Sequence, residues 1–193
     1  MGSNPVVLCD ANVLYGQWLR DLVMHLGIVG LLQPRWSERI EEEWITNLLE
    51  HRPDLDPARV RRTADLMNQA IPQAKIPTNS SELNLSLPDP DDVHVVQAAL
   101  SAKADYLMTF NLADFPPSIC QALGFQVVHP DIFLVQLLEE YPEALLQTLW
   151  QMQRQKVRPP VSWEDLTQAL KRADLPRFSL LLMEHTPDTN GQE

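Results

Sequence analysis

A short, uninterrupted run of apolar residues, Val6-Val7-Leu8-Cys9, stands near the start of the chain and ends at Asp10. Its β-branched residues favour a strand, and the absence of alternating polar positions indicates that both faces of that strand are buried. Strands of this kind are typical of parallel sheets that helices cover on each side. The run therefore predicts an α/β architecture and puts a carboxylate at the end of a buried strand.

Strand and helix patterns alternate from this run to His129. A helix that Ser37 caps carries Ile40, Trp44 and Leu48 at four-residue spacing. The remaining predicted helices lie around residues 19–26, 57–71, 93–103 and 118–123, and the remaining strands at 75–76, 106–110 and 126–129. Such alternation predicts a parallel sheet flanked by helices.

After Pro130 the pattern is helical throughout. Helices are predicted over residues 132–138, 144–156 and 162–173, and Ser162 with Asp165 matches a capping box at the start of the third. We therefore predict an α/β domain over residues 1–131 and an all-helical extension over residues 132–185. The polar tail, residues 186–193, is predicted to be disordered.

Composition indicates a soluble globular protein, since 45% of the 193 residues are hydrophobic and 21% are charged. No apolar run approaches the roughly eighteen residues that span a membrane, and the N-terminus lacks a secretory pattern. Cys9 and Cys120 have no spacing that suggests a disulfide or zinc site. The expected location is the cytoplasm.

The net charge of −11 argues against a protein that holds nucleic acid by bulk electrostatics. Residues 104–153 contain no Lys or Arg, whereas basic residues collect in 35–62 and 154–177. An acidic centre between basic segments fits a metal site with edges that contact a phosphate backbone. It fits ordinary solvated faces equally well.

Acidic residues are predicted to gather at the carboxyl edge of the sheet. Asp10 follows the first strand, and Asn111 and Asp114 follow the strand that ends at Phe110. Functional groups of parallel sheets collect outside such strand ends. Two further acidic sets lie on or before predicted helices: Asp89, Asp91 and Asp92, and Glu41, Glu42 and Glu43.

Converging carboxylates repel one another, so their proximity in a fold implies a cation between them. Ligand sets made only of oxygen select hard cations such as Mg²⁺ or Mn²⁺. Two such ions about 4 Å apart can activate a water and stabilise the leaving oxygen when a phosphodiester is cleaved. The predicted chemistry is therefore metal-dependent phosphodiester hydrolysis.

Three segments resemble motifs of the PIN-domain ribonucleases, in that family's order. They are Asp10-Ala11-Asn12-Val13-Leu14, Asp91-Asp92-Val93-His94-Val95-Val96-Gln97-Ala98-Ala99 and Thr109-Phe110-Asn111-Leu112-Ala113-Asp114-Phe115. The resemblance covers about residues 6–130 and is strongest to VapC-type toxins of bacterial toxin–antitoxin pairs. Residues 159–163 and 175–178 also resemble the C-terminal segment of one VapC subgroup that has a helical extension.

The resemblance implies a site of four acids with three supporting polar residues. The implied metal ligands for Mg²⁺ or Mn²⁺ are Asp10, Asp92 and Asp114, and the remaining catalytic acid is Glu43. The implied supporting residues are Asn12, which would orient Asp10, together with Thr109 and Asn111.

Several assignments stay open at the level of sequence. Glu42 is an immediate rival of Glu43, and either Asn111 or Asp114 could complete the site. Acids also cap helix N-termini, and capping is the preferred interpretation of Asp89 and Asp91. His94 follows Asp92 by two residues, a spacing that on a helix would point it away from the acid.

Two functions are compatible with these observations. The resemblance implies a metal-dependent endoribonuclease toxin that cleaves RNA, such as a tRNA or another structured RNA, and that a DNA-binding antitoxin protein inhibits. A homodimer is a further expected assembly, and no membrane partner is expected. The alternative is a catalytically impaired PIN fold that binds RNA or protein, which Asn111 at an acidic position would favour.

Overall fold

The computed structural model describes residues 4–77, 85–156 and 159–185. The predicted disordered tail, residues 186–193, lies outside the described residues. The chain divides into two compact units, Met1–His129 and Pro130–Glu193. No helix within the described ranges is long and apolar enough to cross a lipid bilayer.

The first unit is a five-stranded parallel sheet with helices between its strands, so the predicted α/β fold is confirmed. The strand order is β3-β2-β1-β4-β5. Two 3-10 turns, Pro90–Asp92 and Leu112–Asp114, precede α5 and α6. The elements are β1 (Val6–Cys9), α1 (Ala11–Tyr15), α2 (Gln17–Ile28), β2 (Gln33–Ser37), α3 (Glu38–His51), α4 (Pro57–Ala70), β3 (Lys75–Ile76), α5 (Val93–Ala102), β4 (Tyr106–Met108), α6 (Pro117–Ala122) and β5 (Gln126–Val128).

β1 is the central strand of the sheet. It is buried, as its apolar run predicted, with Val7, Leu8 and Cys9 fully buried. It pairs in parallel with β2 on one side and with β4 on the other. The carboxyl ends of β1 and β4 therefore lie side by side where the strand order reverses. Crevices at such switch points are where open α/β sheets bind ligands.

β2 was not predicted from the sequence. The strand contains Pro34 and Arg35 and so lacks a continuous apolar or β-branched run. Tertiary pairing forms it instead: Val6, Val7 and Leu8 of β1 align with residues 33–35 in register, and Trp36 of β2 is fully buried. Such pairing overrides local propensity.

The second unit contains four helices among the described residues. They are α7 (Pro130–Glu140), α8 (Pro142–Gln155), α9 (Trp163–Arg172) and α10 (Pro176–Met183). The predicted capping box is present, because Ser162 and Asp165 each accept a bond from the other's backbone N–H. The periodicity analysis did not predict α10, which begins with Pro176 and has only eight residues.

Candidate active site

Asp10 lies immediately after β1 and is 7% exposed. Its Oδ1 accepts the backbone N–H of Ala11 at 2.7 Å, which caps α1. Its Oδ2 accepts hydrogen bonds from Asn12 Nδ2 at 2.8 Å and from Thr109 Oγ1 at 2.7 Å. Burial raises the pKa of Asp10, the bonds from Thr109 and Ala11 oppose that rise, and the charge of Glu43 adds to it.

A polar network joins the ends of β1 and β4. Asn12 Nδ2 also donates to Thr109 Oγ1 at 2.9 Å, and Asn12 Oδ1 accepts the backbone N–H of Phe110 at 3.2 Å. The backbone N–H of Asn111 donates to Thr109 Oγ1 at 3.0 Å. Thr109 is fully buried, so its hydroxyl is held in one place by two donors while it donates to Asp10.

The three consecutive glutamates of α3 have different environments. Ser37 caps this helix through Ile40 N–H, as predicted, and fixes where it begins. The carboxylate of Glu41 is buried and accepts bonds from Trp36, Asn68 and Lys75. Glu42 is exposed and forms an ion pair with Arg61 at 2.9 Å.

Glu43 is the glutamate that interacts with Asp10, because its charge contributes to the raised pKa of that residue. Its Oε1 accepts hydrogen bonds from Arg39 Nε and His94 Nε2, each at 3.0 Å. Burial alone would raise the pKa of Glu43, but the hydrogen bonds and charges of His94 and Arg39 outweigh burial and lower it.

The partner of His94 is Glu43, which the sequence spacing did not predict. His94 is buried, contacts Glu43, and by its charge lowers the pKa of both Asp92 and Asp10. Asp92 belongs to a 3-10 turn, and only Val93 begins α5. α-Helical spacing therefore does not apply between the two residues.

The Asp92 carboxylate is half-buried and lies among other acids. Burial, followed by the charges of Asp10, Asp114 and Asp89, raises the pKa of Asp92 from 3.8 to about 6. Asp89 caps the 3-10 turn by accepting Asp91 N–H at 2.9 Å, which confirms its predicted capping role. The backbone carbonyl of Asp91 accepts Arg39 Nη2 at 3.4 Å.

Asn111 and Asp114 lie at the two ends of the second 3-10 turn. The Asn111 side-chain amide donates to Asp114 Oδ2. Asp114 is close enough to Asp92 for its charge to raise the pKa of that acid. The structure therefore brings Asp114 towards the other acids and makes Asn111 its hydrogen-bond partner.

The donor chemistry at this edge fits a hard divalent cation. The acids supply only carboxylate oxygens, and the charges of Asp10 and Asp114 add to the effect of burial in raising the pKa of Asp92. No group of three or more His, Cys, Asp or Glu side chains in the described ranges closes into a ready-made coordination shell. Mg²⁺ does not require one, because it keeps several waters and binds through one or two carboxylates.

A cavity of about 750 Å³ lies apart from these acids, among α2, α3 and α4. Arg20 lines it, stacks over the Trp44 ring at 4.8 Å from its centroid, and donates to the carbonyl oxygens of Leu14 and Tyr15. Through these contacts the buried guanidinium of Arg20 connects α2 with α1 and α3.

Comparison with known proteins gives two matches to family models. A model described as "PIN domain" matches residues 6–113, and one described as "VapC50 C-terminal domain" matches residues 130–184. A Mycobacterium tuberculosis protein (strain ATCC 25618 / H37Rv) named "Putative ribonuclease VapC50" is 32% identical over 88 residues. The match covers 46% of this chain and 52% of that protein, so the chain spans about half the length of this relative. No solved structure matches significantly.

Proposed function

The chain belongs to the PIN-domain family, and we propose that it is a metal-dependent endoribonuclease that acts as a VapC-type toxin. The observation that carries this proposal is the position of Asp10, which Asn12 and Thr109 hold at the edge where β1 and β4 end. The charges of Asp10 and Asp114 both act on Asp92 beside it. A divalent cation relieves the repulsion between carboxylates that lie close together at a strand-end crevice.

Asp10 is the anchor of the proposed site. A carboxylate offers about four lone-pair positions, and Ala11, Asn12 and Thr109 occupy three of those of Asp10. One position is left for a cation, and the network fixes its direction. Asp92 and Asp114 would supply the other metal-binding oxygens, and Asn12, Thr109 and Asn111 would hold the acids in place.

The reaction that we propose is hydrolysis of an RNA phosphodiester. Water forms a bond to phosphorus, the bond to the leaving ribose oxygen breaks, the water loses a proton, and the leaving oxygen gains one. A bound Mg²⁺ or Mn²⁺ would supply Lewis-acid stabilisation of the phosphoryl oxygens and would lower the pKa of the attacking water. The carboxylates of Asp10, Asp92 and Asp114 would hold the ion in a fixed position, which would be their contribution to catalysis.

The toxin role and the antitoxin partner are supported by the comparisons. The relative is named as a ribonuclease, and the match to the VapC50 C-terminal domain covers the second unit. We propose that a DNA-binding antitoxin inhibits the enzyme, with a basic side chain that pairs with the acids. A short neighbouring reading frame that encodes such a protein would support this assignment.

The alternative function is an RNA- or protein-binding module with an impaired site. Asn111, whose amide donates to Asp114, favours it, because the family often has an acid at that position. The retained acids Asp10, Glu43, Asp92 and Asp114 favour the enzyme.

The substitution Asp10→Asn distinguishes the endoribonuclease from the binding module. The variant is expected to lose RNA cleavage in Mn²⁺ or Mg²⁺ and to keep a cooperative thermal melt. Asp54→Asn is the matched control, because Asp54 is exposed and pairs only with Arg52 in the described contacts. Wild-type melting should also rise on addition of Mn²⁺, since a ligand of the native state stabilises it. RNA cleavage that persists in Asp10→Asn would favour the binding module. A wild type whose melting temperature does not change on addition of Mn²⁺ would favour it too.

A further inference from the structure

Glu43 differs from the aspartates in having protein cations as partners. Arg39 reaches it from one turn earlier on α3, and His94 reaches it from α5. Arg39 also contacts the Asp91 carbonyl, so it connects α3 with the turn that carries Asp92. Glu43 is thus connected directly to α5, and through Arg39 to the 3-10 turn Pro90–Asp92.

These contacts give the acids different electrostatic surroundings. Glu43 Oε1 lies 3.0 Å from both the Arg39 guanidinium and the His94 imidazole. The hydrogen bonds that Asp10 and Asp114 accept come from neutral donors: Ala11 N–H, Asn12 and Thr109 for Asp10, and the Asn111 amide for Asp114. A divalent cation gains most where negative charge is uncompensated. That condition holds for the aspartates and not for Glu43.

The geometry leaves one oxygen of Glu43 available. Both contacts use Oε1, and the side chain is 33% exposed. Within the part of the chain that the structure describes, no hydrogen bond to Oε2 is found. An ionised carboxylate oxygen in this position can accept a hydrogen bond from water.

We propose that Arg39 and His94 are positioning residues that hold Glu43 outside the metal's ligand set. Asp10, Asp92 and Asp114 then carry the cation, and Glu43 Oε2 orients the attacking water. This inference rests on the proposed function and goes beyond it, because it assigns positioning roles to Arg39 and His94, which the sequence did not predict.

Mn²⁺ binding to the full chain, measured by isothermal titration calorimetry, separates the acids. Glu43→Gln is expected to keep the Kd for Mn²⁺ within about threefold, while Asp92→Asn weakens it by about tenfold or more. Equal weakening in both variants would overturn the inference and leave the proposed function standing. A wild type that binds no Mn²⁺ would overturn both.

Arg39→Gln provides a second, independent readout. Loss of this partner frees Glu43 to compete for the metal, so Mn²⁺ affinity is expected to rise by about threefold, the size expected for an exposed ion pair. Arg61→Gln is the matched control, because it removes the same charge from the neighbouring Glu42 and should leave affinity unchanged.

Arg39→Gln should also slow RNA cleavage at saturating Mn²⁺, because Glu43 loses its fixed position. A purely structural role would lower affinity and rate together, which would contradict the proposal. His94→Gln is expected to act in the same direction. Arg39 is 54% exposed, so its variant keeps the test available should the buried His94 variant fail to fold.

Discussion

Thr109 donates its hydroxyl hydrogen to Oδ2 of Asp10 at 2.7 Å, although 99 positions separate the two residues. The parallel pairing of β1 with β4 creates this contact, because Cys9 aligns with Met108 and the next residue of each strand follows at the same edge. Thr109 is fully buried and also accepts bonds from Asn12 and Asn111. Its hydroxyl therefore fixes the acid on which the proposed metal site depends.

Thr109→Val removes this hydroxyl while nearly preserving shape. The free energy of unfolding is expected to fall by about 1–2 kcal/mol, because the donors of Asn12 and Asn111 lose their buried acceptor. The bond from Thr109 lowers the pKa of Asp10, so its loss should move the pH at which Mn²⁺ binds upward. Chemical denaturation and Mn²⁺ titrations at several pH values measure both effects. Thr109→Ser keeps the hydroxyl and serves as control; equal effects in the two variants would contradict the role of the bond.

Asp92→Asn should stabilise the metal-free protein, and only at higher pH. Because the pKa of Asp92 is about 6 when folded and about 4 when unfolded, folding is favoured below pH 4 and that benefit is lost as pH rises to about 6. The full difference corresponds to about 3 kcal/mol, and solvent screening of this partly exposed group reduces it to about 1 kcal/mol.

Melting curves in EDTA at pH 4 and pH 7.5 test this prediction. The variant should melt with the wild type at pH 4 and above it at pH 7.5. Saturating Mn²⁺ should reverse the order at pH 7.5, because the wild type regains its ligand. A variant that is less stable than the wild type at pH 7.5 in EDTA would show that the Asp92 charge is not repelled by its neighbours.

The parts of the site that could be predicted from sequence are those fixed by local chemistry. The apolar run of β1 determined where Asp10 lies, and Ser37 determined where α3 begins. The parts that could not be predicted depend on pairing between distant segments. β2 forms only because β1 is beside it, and its Pro34 and Arg35 carry no strand pattern.

The choice among Glu41, Glu42 and Glu43 illustrates the same limit. Successive residues on a helix point about 100° apart, so adjacent glutamates face three different environments, but sequence does not show which element lies on each side. β3 and α4 supply the partners of Glu41, and α5 supplies one partner of Glu43. The partner of His94 could not be predicted for the same reason, since its contact with Glu43 joins α5 to α3.

Glu41→Gln should destabilise the fold far more than Glu42→Gln. The Glu41 carboxylate is buried and accepts hydrogen bonds from Trp36, Asn68 and Lys75. Glu42, by contrast, forms a solvent-exposed ion pair with Arg61. Loss of the buried charge is expected to cost about 3 kcal/mol and loss of the exposed pair less than about 1 kcal/mol. Urea denaturation of the two variants measures the difference. Equal midpoints would show that the Glu41 contacts contribute no more than a surface pair.

Asp131→Ala should weaken the helical second unit. Asp131 is 4% exposed, and its two oxygens accept the backbone N–H groups of Arg177 and Phe178 at 3.2 and 2.9 Å. These N–H groups lie in the first turn of α10, where no intrahelical acceptor exists. Removing the carboxylate leaves both unsatisfied, at an expected cost of about 2 kcal/mol.

Hydrogen exchange locates this effect within the unit. The amide hydrogens of Arg177 and Phe178 should exchange faster in Asp131→Ala, because the bonds that protect them are gone. Glu139→Ala, an exposed change on the same helix as Asp131, is the control and should alter neither exchange nor melting. Unchanged protection at Phe178 in Asp131→Ala would mean that packing, rather than the Asp131 cap, holds the start of α10. Since Phe178 is itself fully buried, the exchange rate and the melting temperature together separate the cap from the packing.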